Sequence, residues 1–132
     1  MIQEDLQILA DCQTKQDVAS SNIPTMANDG RGRDSLVPAG KKWLVHRIDI
    51  RNVSTSPATY YLWLVPRNQS VQSTTTTWLT VPTTSLVANS RAHLEASAGK
   101  DVLDILHEGD SIWHMGGGLN LNLKIIGWEI DA

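Results

Sequence analysis

Cysteine is nearly absent from this chain of 132 residues, and phenylalanine is wholly absent. The single thiol, Cys12, excludes an internal disulfide framework and any metal site built from cysteines alone. Long apolar runs are missing too. None approaches the ~20 residues of a membrane-crossing helix, so no membrane partner is expected. The first residues, Met1-Ile-Gln-Glu-Asp5, lack a basic stretch followed by an apolar one, and no secretory signal is expected. Nor is there a large excess of charge: 11 Lys and Arg against 14 Asp and Glu leave a net charge of −3. That imbalance lies in the first quarter of the chain. Residues 1–36 carry six acids and three bases, and residues 37–132 carry eight of each. A body with no basic stripe is poorly suited to neutralising phosphates, so nucleic acid is not expected as a partner.

What the chain does have is β patterning. A Pro38-Ala-Gly40 turn opens a long period-two run in which Leu44, His46, Ile48 and Ile50 alternate with Arg47, Asp49 and Arg51. This is the pattern of a strand with one face toward a core and the other toward water. After the break at Asn52-Val-Ser-Thr-Ser-Pro57 it resumes as Ala58-Thr-Tyr-Tyr-Leu-Trp-Leu-Val65, which reads as an antiparallel partner of the first strand. A Thr-rich stretch between Ser70 and Leu86 favours extended backbone. Short strands are expected at Arg91–Ser97, Val102–Leu106 and Ser111–Met115, the last two flanking a His107-Glu-Gly-Asp110 turn. The clearest alternation is Leu119-Asn-Leu-Asn-Leu-Lys-Ile125. Beyond it the apolar phase moves to Ile126, Trp128 and Ile130, which predicts a bulge near Gly127 that turns those three inward.

The expected fold is therefore all-β, a single antiparallel β-sandwich of jelly-roll or immunoglobulin-like type, with an extended N-terminal arm. The texture change at Leu36 places the arm at residues 1–35 and the sandwich at 36–132. Within the arm, Ile2–Ala10 permits a helix through Ile2, Leu6 and Leu9 or a strand through Leu6, Ile8 and Ala10. Gln13–Ser35 has the Ser, Asn, Asp, Gly and Pro content of loops.

No catalytic pattern emerges. The four histidines, His46, His93, His107 and His114, include no His-x-His pair of the kind a cupin metal site uses. No Gly-x-Ser-x-Gly elbow is present, and Gly116-Gly-Gly118 lacks the Lys-Ser/Thr and helix of a phosphate loop. Asp101, Asp104, Glu108 and Asp110 lack calcium-loop spacing. The reading is non-enzymatic, with no metal and no cofactor. Five tryptophans against two tyrosines suit a core or a subunit contact, or alternatively a platform for sugar rings. Leu6, Ile8 and Leu9 of the arm, with Trp43, Trp63 and Trp78, are the candidate partner-binding residues.

Certain segments together resemble small virion structural proteins of tailed bacteriophages. They are Val37-Pro-Ala-Gly-Lys41, Ile48-Asp-Ile-Arg-Asn52, Tyr61-Leu-Trp-Leu-Val-Pro66, Leu106-His-Glu-Gly-Asp-Ser-Ile112 and Ile126-Gly-Trp-Glu-Ile130. The resemblance covers roughly residues 36–131. It implies a capsid cement or decoration protein, or alternatively a fibre or tail-tip module that binds host-surface glycan. It further implies a homotrimer, contacts with the major capsid protein or other virion proteins, and a place in the virion after assembly in the host bacterial cytoplasm.

Overall fold

The computed structural model describes residues 6–14, 25–53, 55, 57–69, 85–86, 91–95, 99–116 and 121–132. Nine strands and no helix occupy these residues: β1 (Gln7–Thr14), β2 (Thr25–Met26), β3 (Lys41–Asn52), β4 (Ala58–Val65), β5 (Ser85–Leu86), β6 (Arg91–Glu95), β7 (Asp104–Leu106), β8 (Ser111–Gly116) and β9 (Leu121–Asp131). Sheet A runs β1-β9-β3-β6 with β7 also on β3, and sheet B runs β2-β8-β4-β5. Every pairing is antiparallel, and the pairings nest: β1 with β9, β2 with β8, β3 with β6 and β7, β4 with β5. The chain is one long hairpin rolled so that successive rungs fall in alternate sheets. That nesting selects the jelly roll over the immunoglobulin-like alternative.

Rolling also overturns the expected β3–β4 hairpin. β3 belongs to sheet A and β4 to sheet B, so the connection between them crosses the sandwich. A short Ser/Thr/Pro link looks the same in sequence whether it turns within a sheet or passes between two.

The core lies between the sheets. Trp43, Val45, Ile48, Ile50, Leu123 and Ile125 come from sheet A, and Leu62, Leu64 and Ile112 from sheet B, all 2% exposed or less. Each buried aliphatic side chain of this size contributes about 1.5–3 kcal/mol. The inward residues of β3 do not keep one parity, however. Val45 faces Gly127 and Arg47 faces Ile126, leaving His46 as an extra residue in a bulge. Trp43 and Val45 point inward before it, Ile48 and Ile50 after it. Leu44 and His46 therefore do not share the inward face with Ile48 and Ile50, contrary to the simple alternation. On the other side of β9, Ile8 faces Ile126 and Ala10 faces Ile125, so Leu9 is extra in β1. The bulges sit in the two neighbours and not in β9. β9 keeps its phase, and Ile126, Trp128 and Ile130 stay on the outer side of sheet A, where inward positions were expected.

Gly127 is the residue this arrangement requires. A Cβ there would collide with the Leu44 carbonyl of the bulged strand and stand 2.9 Å from Leu9 Cδ1. At the far end of the sandwich, Asp110 ties two turns together. Its carboxylate accepts from the Arg67 and His107 amides at 2.8 Å each, and its carbonyl accepts from Val37 N–H. Gly109, at φ +87°, lies against the Arg67 side chain, where a Cβ would stand 2.7 Å from Cδ.

No arm boundary exists at residue 36. Leu9, Ala10, Ala27 and Ser35 are all fully buried, and β1 forms an edge of sheet A while β2 pairs with β8 in sheet B. The Ser35 hydroxyl donates to the Leu9 carbonyl at 2.7 Å, and Asp11 N–H donates to the Asn28 carbonyl at 2.8 Å, joining the two segments. The expected arm of residues 1–35 is, in its described parts, sandwich. The bulge explains why its strand was ambiguous: Leu9 and Ala10 both turn inward, a pattern that fits neither period.

Two outcomes follow. Gly127→Ala should lower stability by about 1–3 kcal/mol or more through overpacking against fixed backbone, read from the urea midpoint. Deleting residues 1–14 should abolish cooperative thermal melting, since it strips β1 from β9 and removes Leu9 and Ala10 from the core.

Candidate binding face

The outer side of sheet A carries two zones that meet at the bulges. The first is apolar. Ile105 of β7 faces Leu44 of β3, which faces Trp128 of β9, and Ile8 of β1 faces Ile126. Leu6, Ile8 and Ile105 are 43%, 43% and 40% exposed, while Leu44, Ile126 and Ile130 are half-buried. Trp128 is only 2% exposed yet lies outside the main core cluster. His46 meets it edge-on, ring centroids 5.1 Å apart at 61°. His46 Nδ1 lies 2.7 Å from the Asp101 carbonyl oxygen, which can only accept, so Nδ1 carries the proton. The Leu103 amide donates to the Val45 carbonyl at 2.7 Å, so residues 101–103 are tied down along β3. Among the described residues the buried indole N–H of Trp128 finds no hydrogen-bond acceptor, a cost of about 1–3 kcal/mol.

Beside the β1 edge of this zone, Leu6 and Ile8 line a cleft of about 670 Å³ against the turn that carries Asp29, Arg31 and Arg33. The turn is organised by its own carboxylate. Asp29 accepts from the Arg31 and Arg33 amides and sits 3.4 Å from the Arg33 guanidinium. The Arg31 amide hydrogen bond, foremost among these contacts, holds the Asp29 carboxyl below its usual value.

The second zone is charged. Three strands meet in register here: Glu95, Arg47 and Ile126 form one row, His93, Asp49 and Lys124 the next, Arg91, Arg51 and Asn122 the third. They enclose a shallow concavity of about 460 Å³. Arg47 pairs with Asp49 at 3.0 Å, and His93 approaches Glu95 at 3.9 Å. The sequence shows no basic stripe because these cations are far apart along the chain. Sheet register is what gathers Arg47, Arg51, Arg91 and Lys124, and that correction to the evenly neutral body could not be read from spacing alone.

Of the candidate partner-binding residues, Leu6 and Ile8 are exposed at the edge of the apolar zone. Leu9 and Trp43 are fully buried in the protomer's own core, and Trp63 is 6% exposed. These three have no surface to offer a partner. Trp43 donates its indole N–H to Glu129 at 2.8 Å, and Trp63 stands opposite Trp113 across β4 and β8. Trp78 lies outside the described residues. Ile105, Leu44, Ile126 and Ile130 were missed because the β3 bulge and the unbroken phase of β9 were not foreseen.

The histidines occupy separate environments: His46 against Trp128, His93 exposed on β6, His107 exposed in its turn, and His114 buried on β8 opposite Leu62. Among the described residues no three His, Cys, Asp or Glu side chains converge as a metal site would need. No protein-family model, no curated protein and no solved structure matches the chain.

Burial holds the His114 imidazole below its ordinary value of 6.5. The fold therefore favours the neutral ring, and as pH falls the unfolded chain takes up this proton first. This contribution to stability is full well above pH 6.5, declines as pH drops below that value, and levels off once the folded ring is protonated. Between about pH 8 and about pH 5 the melting temperature of wild type should fall relative to that of His114→Leu, because the variant lacks this slope.

Proposed function

We propose that the chain is a non-enzymatic structural protein of a bacteriophage virion, a capsid cement or decoration protein that binds the assembled shell. The observation that carries the reading is the apolar zone on the outer side of sheet A. Leu6, Ile8 and Ile105, each at least 40% exposed, border half-buried Leu44, Ile126 and Ile130 on a rigid sheet. Exposed apolar side chains gathered on one sheet face mark a contact surface. The segments that resemble phage virion proteins supply the setting, and a jelly-roll body suits a rigid clamp. Self-association into a trimer belongs to the same proposal: copies linked together would hold several shell subunits, each later contact forming at high effective concentration.

Burial of three of the five tryptophans favours cement over adhesin. Sugar recognition through stacking needs open indole faces, and Trp43, Trp63 and Trp128 are 0%, 6% and 2% exposed.

Particles with and without the protein should differ in the temperature of DNA release, the cement raising it by binding the assembled lattice. Ile8→Glu with Ile105→Glu should leave the melting temperature of the free protein within about 1–3 °C of wild type, as both sites are solvent-exposed. The same double variant should lower incorporation into particles at least about tenfold. Unchanged heat release with reduced host adsorption would reverse the choice in favour of a fibre or tail-tip role.

A further inference from the structure

We propose that Arg51 and Arg91, with Lys124 and Asn122, form a docking site for the carboxylates of an acidic protein segment. The proposal rests on reading the outer side of sheet A as a contact surface, and it names the chemistry of what the charged half receives.

The argument starts from register. Arg51 of β3 stands directly opposite Arg91 of β6, and on its other flank directly opposite Asn122 of β9. Residues so placed have Cβ atoms about 4.5–5.5 Å apart, and like charges in that position destabilise a sheet. Arg47 is paired with Asp49, and Glu95 has His93 at 3.9 Å, an ion pair only when that ring is protonated. No carboxylate among the described residues pairs with Arg51, Arg91 or Lys124. A like-charged pair left uncompensated in a concavity is a site for an external anion, and two guanidinium forks match carboxylates in bidentate fashion. Asn122 adds an amide donor in the same row.

The acids in the same concavity decide the kind of partner. Four bases (Arg47, Arg51, Arg91, Lys124) share it with Asp49 and Glu95. A uniformly anionic polymer, nucleic acid or sulfated glycan, would press its charges against those two carboxylates. A protein segment with spaced Asp or Glu avoids them and can offer its own cations to Asp49 and Glu95. No Phe, Tyr or Trp is among the described lining residues, so the broad ring faces on which bases and sugars stack best are missing there. The charged zone also adjoins the apolar one along the Arg47–Ile126–Ile8 row, and an apolar patch with a charged border is the composition of a protein interface.

The test uses the full chain, with an acetylated Glu-Ser-Glu-Lys-Glu-Ser-Glu peptide, whose acids are spaced and which carries one cation, and a heparin fragment of matched net charge as probes in calorimetric titrations at low salt. The glutamate peptide should bind more tightly than the heparin fragment, and Arg91→Gln and Arg51→Gln should each weaken it about tenfold. Lys100→Gln, an exposed change outside the concavity, should leave binding unaltered. Without any probe, Arg91→Gln should raise the melting temperature by about 1–4 °C, because it relieves the like-charge opposition. Preference for the heparin fragment, no binding of the peptide, equal peptide binding by the variants, or a lowered melting temperature of Arg91→Gln would each overturn the proposal. The cement reading fails separately: it falls if the Ile8→Glu, Ile105→Glu variant enters particles normally, whatever the peptide does.

Discussion

The sandwich turns on a single close approach, that of the Leu44 carbonyl to the α-carbon of Gly127. It exists because β3 carries one residue more than β9 at that level, and β1 carries one more at the next step. Two bulges flanking one central strand make a seam across sheet A. Bulges bend their strands and strengthen local twist, and here they also reverse the parity of both neighbours while β9 runs through in phase. Above the seam the outward residues of β3 are Lys42 and Leu44; below it they are Arg47, Asp49 and Arg51. The seam divides partners as well, since β7 pairs with Trp43–Val45 and β6 with Arg47–Arg51. Any side chain at position 127 would have to push apart backbones that the core on one side and Trp128 on the other hold in place.

The same seam marks where the sequence stops being a guide. Period-two alternation located β3 and β9, where burial alternates over several residues, and β-rich stretches between turn signals located β4, β6, β7 and β8. Together they placed the fold in the all-β class, and the alternation even suggested an irregularity at Gly127. It could not tell which strand owned the extra residue. A glycine at a bulge is required by the neighbour's backbone, and a neighbour sixty residues or more away leaves no local trace. Strand order was equally hidden: in a jelly roll the partners of a strand are its reflections about the β4–β5 end of the hairpin, so nearness in sequence misleads. The β3–β4 link shows this most plainly.

The N-terminal segment was misjudged for a different reason. Its polar, acidic composition resembled a free arm, yet composition records what faces water and says little about which few residues do not. Leu9, Ala10, Ala27 and Ser35 are enough to close one end of the core. Their burial is secured by hydrogen bonds from Ser35 to Leu9 and from Asp11 to Asn28, contacts across a gap that no sequence window spans. The Asn28–Asp34 turn belongs to this closure, held by an Asp29 carboxylate that accepts two backbone amides.

The two zones of the outer face have different physical consequences for any partner. Burying Ile8, Ile105 and their neighbours would supply affinity without direction, in proportion to the apolar area removed from water. The charged rows supply direction, because a partner shifted by two residues along β3 would set its acids against Asp49 in place of Arg51. Charge complementarity of this kind governs orientation and rate of encounter more than strength. A surface built this way tolerates a weak single contact while rejecting a misaligned one. Arg51 facing Arg91 fits the same logic: free, the pair is a local cost, and it becomes favourable only when the correct carboxylates arrive.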